Sequence, residues 1–252
     1  MTLEVCKEVA FFSEKTALKL KTITDKNFKE KYKLKFERFV DEISGKLKLR
    51  KKNGIYELYL GKISKGNGSE TDFINSEYTF HTHPTEAYIE YNCELGWPSS
   101  DDYMAFVDGF LNFTCIFHCV VTLEGIYIIN IDPESVIKLC KFYHESKKGK
   151  RKEIITELEQ YNRKYLNVDK TNFKKATGVS SRWGRRIHSV NDYVSYVNKD
   201  IPKFKLGGSK EGFLRLYSLR FISWKELLKD GNFVVFEFYF KPTKKGICKI
   251  RK

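Results

Sequence analysis

The dipeptide Asn53-Gly54, with strict alternation on both sides, constrains this chain more than any other feature. Asn-Gly favours a tight turn that reverses two strands without splaying them. Before it, Leu47 and Leu49 alternate with Lys46, Lys48 and Arg50; beyond it Tyr56, Leu58 and Leu60 repeat at period two. The pattern predicts a β-hairpin over residues 43 to 63 with one buried face. Two apolar runs, Cys115 to Leu123 and Ile126 to Ile131, meet at Glu124-Gly125 and read as buried strands. A short strand is predicted at Tyr78 to His83, a late aromatic strand at Phe233 to Phe240, and another from the alternation of Leu18, Leu20 and Thr22.

Helical spacing interrupts these strands. Phe28, Tyr32, Phe36 and Val40 recur every four residues behind a cap at Thr24-Asp25. Tyr103, Phe106, Val107 and Phe110 follow Pro98, and Val136, Ile137, Cys140 and Phe142 follow Pro133. A further helix carries Ile154, Ile155, Leu158 and Tyr161. Interleaved strands and helices predict an α/β (α+β) fold.

With 41% hydrophobic and 15% aromatic residues among 252, the chain can bury a core, which excludes wholesale disorder. No run of about 18 apolar residues occurs, so no membrane-spanning helix is expected. Met1 to Glu8 carries early acidic residues and no apolar run, so no secretory signal is expected and an intracellular setting, cytoplasmic or nuclear, is. The six scattered cysteines read as reduced thiols, and Cys115/Cys119 lacks the second pair a structural zinc site would need.

Net charge is +14, and more than half of that surplus falls between residues 145 and 188, where 13 basic residues face five acidic ones. The basic segment Ser146 to Lys152 predicts a boundary between a domain over 1–145 and a basic α+β region over 146–252. Arg182, Arg185 and Arg186 beside Trp183 combine charge and a stacking surface suited to nucleic acid or another polyanion. A solvated lysine-rich face reads the same way, and His188 reads as a surface histidine.

The segment with chemical content is Phe80-His81-Thr82-His83-Pro84, followed by Trp97-Pro98-Ser99-Ser100-Asp101-Asp102. Residues two apart on a strand share a face, so His81 and His83 present adjacent imidazoles suited to a cation such as Zn²⁺. An aspartate in the first turn of the next helix can add an oxygen ligand, leaving a fourth position for water. Taken alone, His-x-His is commonly a polar surface pair, and Ser-x-x-Asp is commonly a capping box.

Together these residues resemble the JAMM (MPN-type) zinc metallopeptidase family, with its His-x-His-Pro and Pro-Ser-x-x-Asp pattern. The resemblance covers roughly residues 17 to 140 and implies a cytidine-deaminase-like core of a mixed sheet flanked by helices. It implies His81, His83 and Asp102 as zinc ligands and Ser99 as a hydroxyl that helps hold the tetrahedral intermediate. Asp101 falls outside the register. The family's upstream Glu-x-x-Gly matches Glu42-Ile43-Ser44-Gly45, which implies Glu42 as the base that takes a proton from water and returns it to the departing amine. Glu37 and Glu57 compete for that role but lack a glycine three residues later. A nucleophilic Cys93 or Cys119 is not needed.

The implied activity is zinc-dependent hydrolysis of a peptide or isopeptide bond in a protein or peptide substrate, ubiquitin-like conjugates included. The family's two ubiquitin-seating insertions have no residue-by-residue match. The gap Pro84 to Pro98 is longer than usual for the family and reads either as a surface loop packing its own aromatics or as a flap over the metal. Its length, with the Lys-, Asn-, Phe- and Tyr-rich composition, is similar to JAMM-like proteins of large DNA viruses, which would place the protein in a host cell or virion. Two rival functions are a non-catalytic MPN-type scaffold and a nucleic-acid-associated protein acting through its basic half.

Overall fold

The computed structural model describes residues 8–25, 42–52, 54–66, 76–90, 93–112, 115, 117–131, 133–166, 179–180, 186–187, 189–206, 213–229 and 235–238. The chain opens with β1 (Glu8–Phe12) and α1 (Glu14–Thr24), followed by β2 (Ile43–Lys52), β3 (Ile55–Lys65) and β4 (Tyr78–Thr82). The short α2 (Thr85–Glu90) and the longer α3 (Ser100–Leu111) lead to β5 (Phe117–Val121) and β6 (Gly125–Ile131). Next come α4 (Pro133–Glu145) and α5 (Lys148–Tyr165), then a two-residue ladder of β7 (Val179–Ser180) with β8 (Arg186–Ile187). After α6 (Val190–Ser195) and a π-turn at Tyr196–Asp200, β9 (Phe204–Lys205) pairs with β10 (Phe213–Leu214). The chain then forms β11 (Tyr217–Ser223), α7 (Trp224–Leu227) and β12 (Val235–Phe238).

Eight strands make one mixed sheet in the order β11-β6-β5-β4-β2-β3-β1-β12. The β2–β3 hairpin forms as the alternation requires: Leu47 faces Leu60 and Leu49 faces Leu58. At the turn, Gly54 takes φ +82°, the left-handed region where a side chain is strained. β4 and β5 run parallel, joined by a crossover through α2 and α3, while β2 and β6 flank them antiparallel. The β5–β6 pair comes from the two apolar runs, and both strands are buried at almost every described position. The chemical segment thus lies at the carboxyl end of a central parallel strand, where open α/β sheets place their binding crevices.

Two expectations near the start are corrected. Residues 18 to 22 belong to α1 and not to a strand. Ser13 caps the helix through Thr16, and the buried positions Ala17, Leu20, Ile23 and Thr24 follow helical spacing. The alternation with Lys19 and Lys21 is a by-product of where the apolar stripe meets solvent. Asp25 ends that helix, its N–H donating to the Lys21 carbonyl, so Thr24-Asp25 does not begin one. The helix expected over Phe28 to Val40, with Glu37, lies outside the described residues.

Residues after 146 add to the same sheet and the same buried cluster. β11 pairs with β6 along seven registered positions, β12 pairs with β1, and α5 packs against α3. Asn162 on α5 accepts from the Tyr217 hydroxyl at 3.0 Å, a buried polar tie between that helix and β11. Among the described residues no helix is long and apolar enough to cross a membrane.

Gly45 shows why the Glu-x-x-Gly spacing needs its glycine. The residue pairs with Phe80, and a Cβ there would lie 2.2 Å from Phe80 Cε1 and 3.2 Å from Ile63 Cγ2. Phe80 is a core ring, 1% exposed, and has nowhere to withdraw. Gly45→Ala is therefore expected to lower the unfolding free energy by about 1–3 kcal/mol, the usual cost of overpacking. Urea titration followed by circular dichroism checks this; an unchanged midpoint would mean that the sheet absorbs the methyl group.

Candidate metal centre

His81 lies in β4, and His83 follows one residue after the strand ends. The two side chains share a face because they are two residues apart in extended chain. Asp102 reaches the same point from the third position of α3, where Ser99 is the N-cap. The Ser99 amide donates to Asp102 Oδ2 at 2.5 Å and the Asp102 amide to Ser99 Oγ at 3.3 Å, a reciprocal capping box. The cap and the candidate ligand are therefore the same carboxylate.

The three side chains converge closely. His81 Nε2 lies 3.2 Å from His83 Nε2 and 3.0 Å from Asp102 Oδ1, and His83 Nε2 lies 3.5 Å from Asp102 Oδ2. A tetrahedral ion with bonds of about 2.0–2.1 Å separates its ligand atoms by roughly 3.3–3.4 Å, close to each of these distances, of which the two to Asp102 run to different carboxylate oxygens. This buried His-His-Asp group could hold a metal ion. Burial works against the Asp102 carboxylate, but the charge and hydrogen bonds of His81 and His83 outweigh it and hold its pKa well below the usual range. It is thus available as an anion.

Each imidazole is oriented by a partner behind it. His83 Nδ1 lies 2.7 Å from the Gly96 carbonyl, which only accepts; Nδ1 must carry the proton, leaving the Nε2 lone pair toward the cluster. His81 Nδ1 lies 2.9 Å from Nε2 of His118 on β5. Burial first, then the charge of His81, drive the His118 pKa down to about 3, so this second imidazole is neutral at ordinary pH.

Glu42 immediately precedes β2. The register pairs Ser44 with His81, so Glu42, two residues back on the same face, stands beside His83, with Oε1 4.0 Å from His83 Nε2. Its backbone is held on both sides. The Glu42 carbonyl accepts from the Gly66 amide at 2.8 Å, and the next amide, Ile43, donates to Thr82 Oγ1 at 3.0 Å. The residue is 8% exposed. Glu57, a competitor by sequence, instead pairs with Arg50 at 2.6 Å on the β2–β3 hairpin.

The segment between the two halves of the motif is tied down at its described positions. Glu124, in the β5–β6 turn, accepts from the Tyr88 hydroxyl at 2.5 Å, the Tyr127 hydroxyl at 2.9 Å and the Gly96 amide at 2.9 Å. Trp97 is buried and stacks on Tyr193, with centroids 4.8 Å apart. Tyr88 and Trp97 are thus packed inward, while Ile89 is 74% exposed. Through Gly96, this segment also sets the orientation of His83.

Sequence reading did not single out His118 or Thr79, and took Glu124 only as the joint between two apolar runs. His118 did carry a signal: it is the one imidazole within the apolar run from Cys115 to Leu123. Cys115 and Cys119 are buried, and burial pushes the Cys115 pKa up to about 12 and that of Cys119 well above its ordinary value. Both remain protonated thiols, as their place in a buried strand requires. Arg182, Trp183, Arg185 and His188 lie outside the described residues, and of Arg186 only the backbone, in β8, is described.

No protein family matches the chain, and no solved structure matches it. Among curated proteins, the chain is similar to Uncharacterized protein 3R of Frog virus 3, isolate Goorha, at 31% identity over 67 residues. The matched segment covers 27% of this chain and 14% of that protein.

Proposed function

We propose that the protein is a zinc-dependent hydrolase of the JAMM type that cleaves a peptide or isopeptide bond. The observation that carries this reading is Glu42. A carboxylate that takes no corner of the His81–His83–Asp102 triangle stands 4.0 Å from one of its donors, largely out of solvent. A purely structural metal site closes its coordination with protein groups and has no use for such a neighbour, whereas a hydrolytic one needs a proton carrier beside an open position. A mixed sheet with the cluster at the end of β4 accommodates the finer cytidine-deaminase-like core that the motif implies.

His81, His83 and Asp102 would hold the ion. When bound, zinc supplies a Lewis acid and a water acidic enough to react near neutral pH. The remaining work belongs to the chain. Glu42 Oε1 accepts the proton of the attacking water and passes it to the departing amine, so no covalent enzyme intermediate is needed. Ser99, held at the start of α3 by the capping box, offers its hydroxyl proton to the developing oxyanion. Its Oγ accepts from the Asp102 amide, which leaves the O–H free to donate.

A metal assay of the purified full chain, combined with a panel of ubiquitin-chain and peptide substrates, tests the proposal. About one zinc per chain and chelator-sensitive cleavage of at least one substrate class are expected. Stoichiometric zinc with no cleavage across the panel would favour the scaffold reading, and absence of zinc would remove the hydrolase reading altogether.

A further inference from the structure

We propose that His118 is a positioning residue: with Thr79, it fixes His81 in the Nδ1–H tautomer, so that the His81 Nε2 lone pair faces the ion. The inference rests on the metal-centre reading above and concerns a residue outside the motif. Thr79, His81 and His118 share one face of the sheet, because β4 and β5 are parallel with Thr79 paired to His118. His118 Nε2 lies 2.9 Å from His81 Nδ1, and His118 Nδ1 lies 2.8 Å from Thr79 Oγ1. Thr79 Oγ1 in turn reaches the Phe117 carbonyl at 3.4 Å and Cys115 Sγ at 3.3 Å.

The direction of this chain is set by the ion. An ion on His81 Nε2 requires that nitrogen to be unprotonated, so His81 Nδ1–H donates to His118 Nε2 and His118 Nδ1–H donates to Thr79 Oγ1. At the far end the Phe117 carbonyl, which can only accept, takes the Thr79 hydroxyl at 3.4 Å beside the Cys115 thiol at 3.3 Å. The opposite polarity, starting from Thr79 donating to His118, would put the proton on His81 Nε2 and close the site to a cation.

The usual outer partner of a ligating histidine is a carboxylate or a carbonyl. Here the partner is an imidazole, which accepts at Nε2 only with its proton on Nδ1, and that proton needs an acceptor of its own. Thr79 supplies that acceptor, which explains a hydroxyl in a strand buried at all five positions. His118 also stacks on His81, centroids 5.0 Å apart, so ring packing and hydrogen bonding must be separated in any test.

The full-length chain and three variants separate them: His118→Phe keeps the ring, Thr79→Val keeps the shape, and Thr79→Ser keeps the hydroxyl. Zinc affinity is read by competition with a chromophoric chelator, and the His81 Nδ1–H by its slowly exchanging imidazole resonance in the zinc-loaded protein. His118→Phe is expected to weaken zinc about 10–100-fold and to abolish that resonance, the scale of losing an outer-shell partner. Thr79→Val is expected to weaken zinc in the same direction, and Thr79→Ser to restore it. Zinc binding of wild-type strength in both His118→Phe and Thr79→Val would overturn the inference while leaving the metal centre standing. A wild-type chain that takes up no zinc would remove both. Thermal melting shows that the variants are folded; should His118→Phe not fold, the valine–serine pair at position 79 decides alone.

Discussion

Asp102→Asn and Asp102→Ala are both expected to abolish stoichiometric zinc, but to differ in stability. Asp102 has two jobs, and the variants divide them. As a candidate ligand, it supplies the one carboxylate corner of a triangle whose other corners are imidazole nitrogens. An asparagine oxygen is a far weaker zinc donor, so zinc affinity should fall by more than the roughly 10–100-fold of an outer-shell change. As the third residue of α3, the carboxylate accepts from the Ser99 amide at 2.5 Å. Asparagine can still accept that bond and alanine cannot, so Asp102→Ala alone should also cost about 1 kcal/mol of cap energy. Asp101, exposed in the same turn, provides the control: Asp101→Asn is expected to retain full zinc. Metal analysis and thermal melting of the three proteins read all of this. Retention of stoichiometric zinc by both Asp102 variants would contradict the ligand assignment.

The second large effect belongs to Glu42. Glu42→Gln keeps the volume and the backbone anchorage to Gly66 and Thr82, and removes only the ability to accept and return a proton. Zinc content is expected to stay at the wild-type level while turnover falls by about 10²–10⁴, the usual contribution of a positioned general base. The measurement is metal content alongside kcat on whichever substrate the panel identifies. Parallel loss of zinc would make Glu42 a fourth ligand and the site a closed one. Unchanged turnover would assign proton transfer to another group.

The sheet strands around the site were legible because their signals are local. Asn53-Gly54 and its flanking alternation set the hairpin register without help from elsewhere, since a one-residue slip would turn every leucine to solvent. The apolar runs on either side of Glu124-Gly125 had no alternative to burial. Residues 18 to 22 misled for the opposite reason. A period of two over five residues fits one and a half turns of a helix just as well, and the Ser13 cap and the stripe from Ala17 to Thr24 decided the matter.

The sequence alone determined the pairing of His81 with His83, because extended backbone puts alternate residues on one face. It also determined the cap that joins Ser99 to Asp102, because that bond spans three residues of a helix start. It had no means of bringing Glu42 to His83, Gly96 to His83 or His118 to His81. Those contacts span 41, 13 and 37 positions; the first and last exist because β2, β4 and β5 lie side by side in one sheet, and the Gly96 contact is supported by the bond from the Gly96 amide to Glu124 in the β5–β6 turn. Strand order is fixed by burial of the whole cluster and not by any short segment. The tertiary structure therefore decided which polar groups stand behind each imidazole, and with them which nitrogen is left to face a cation.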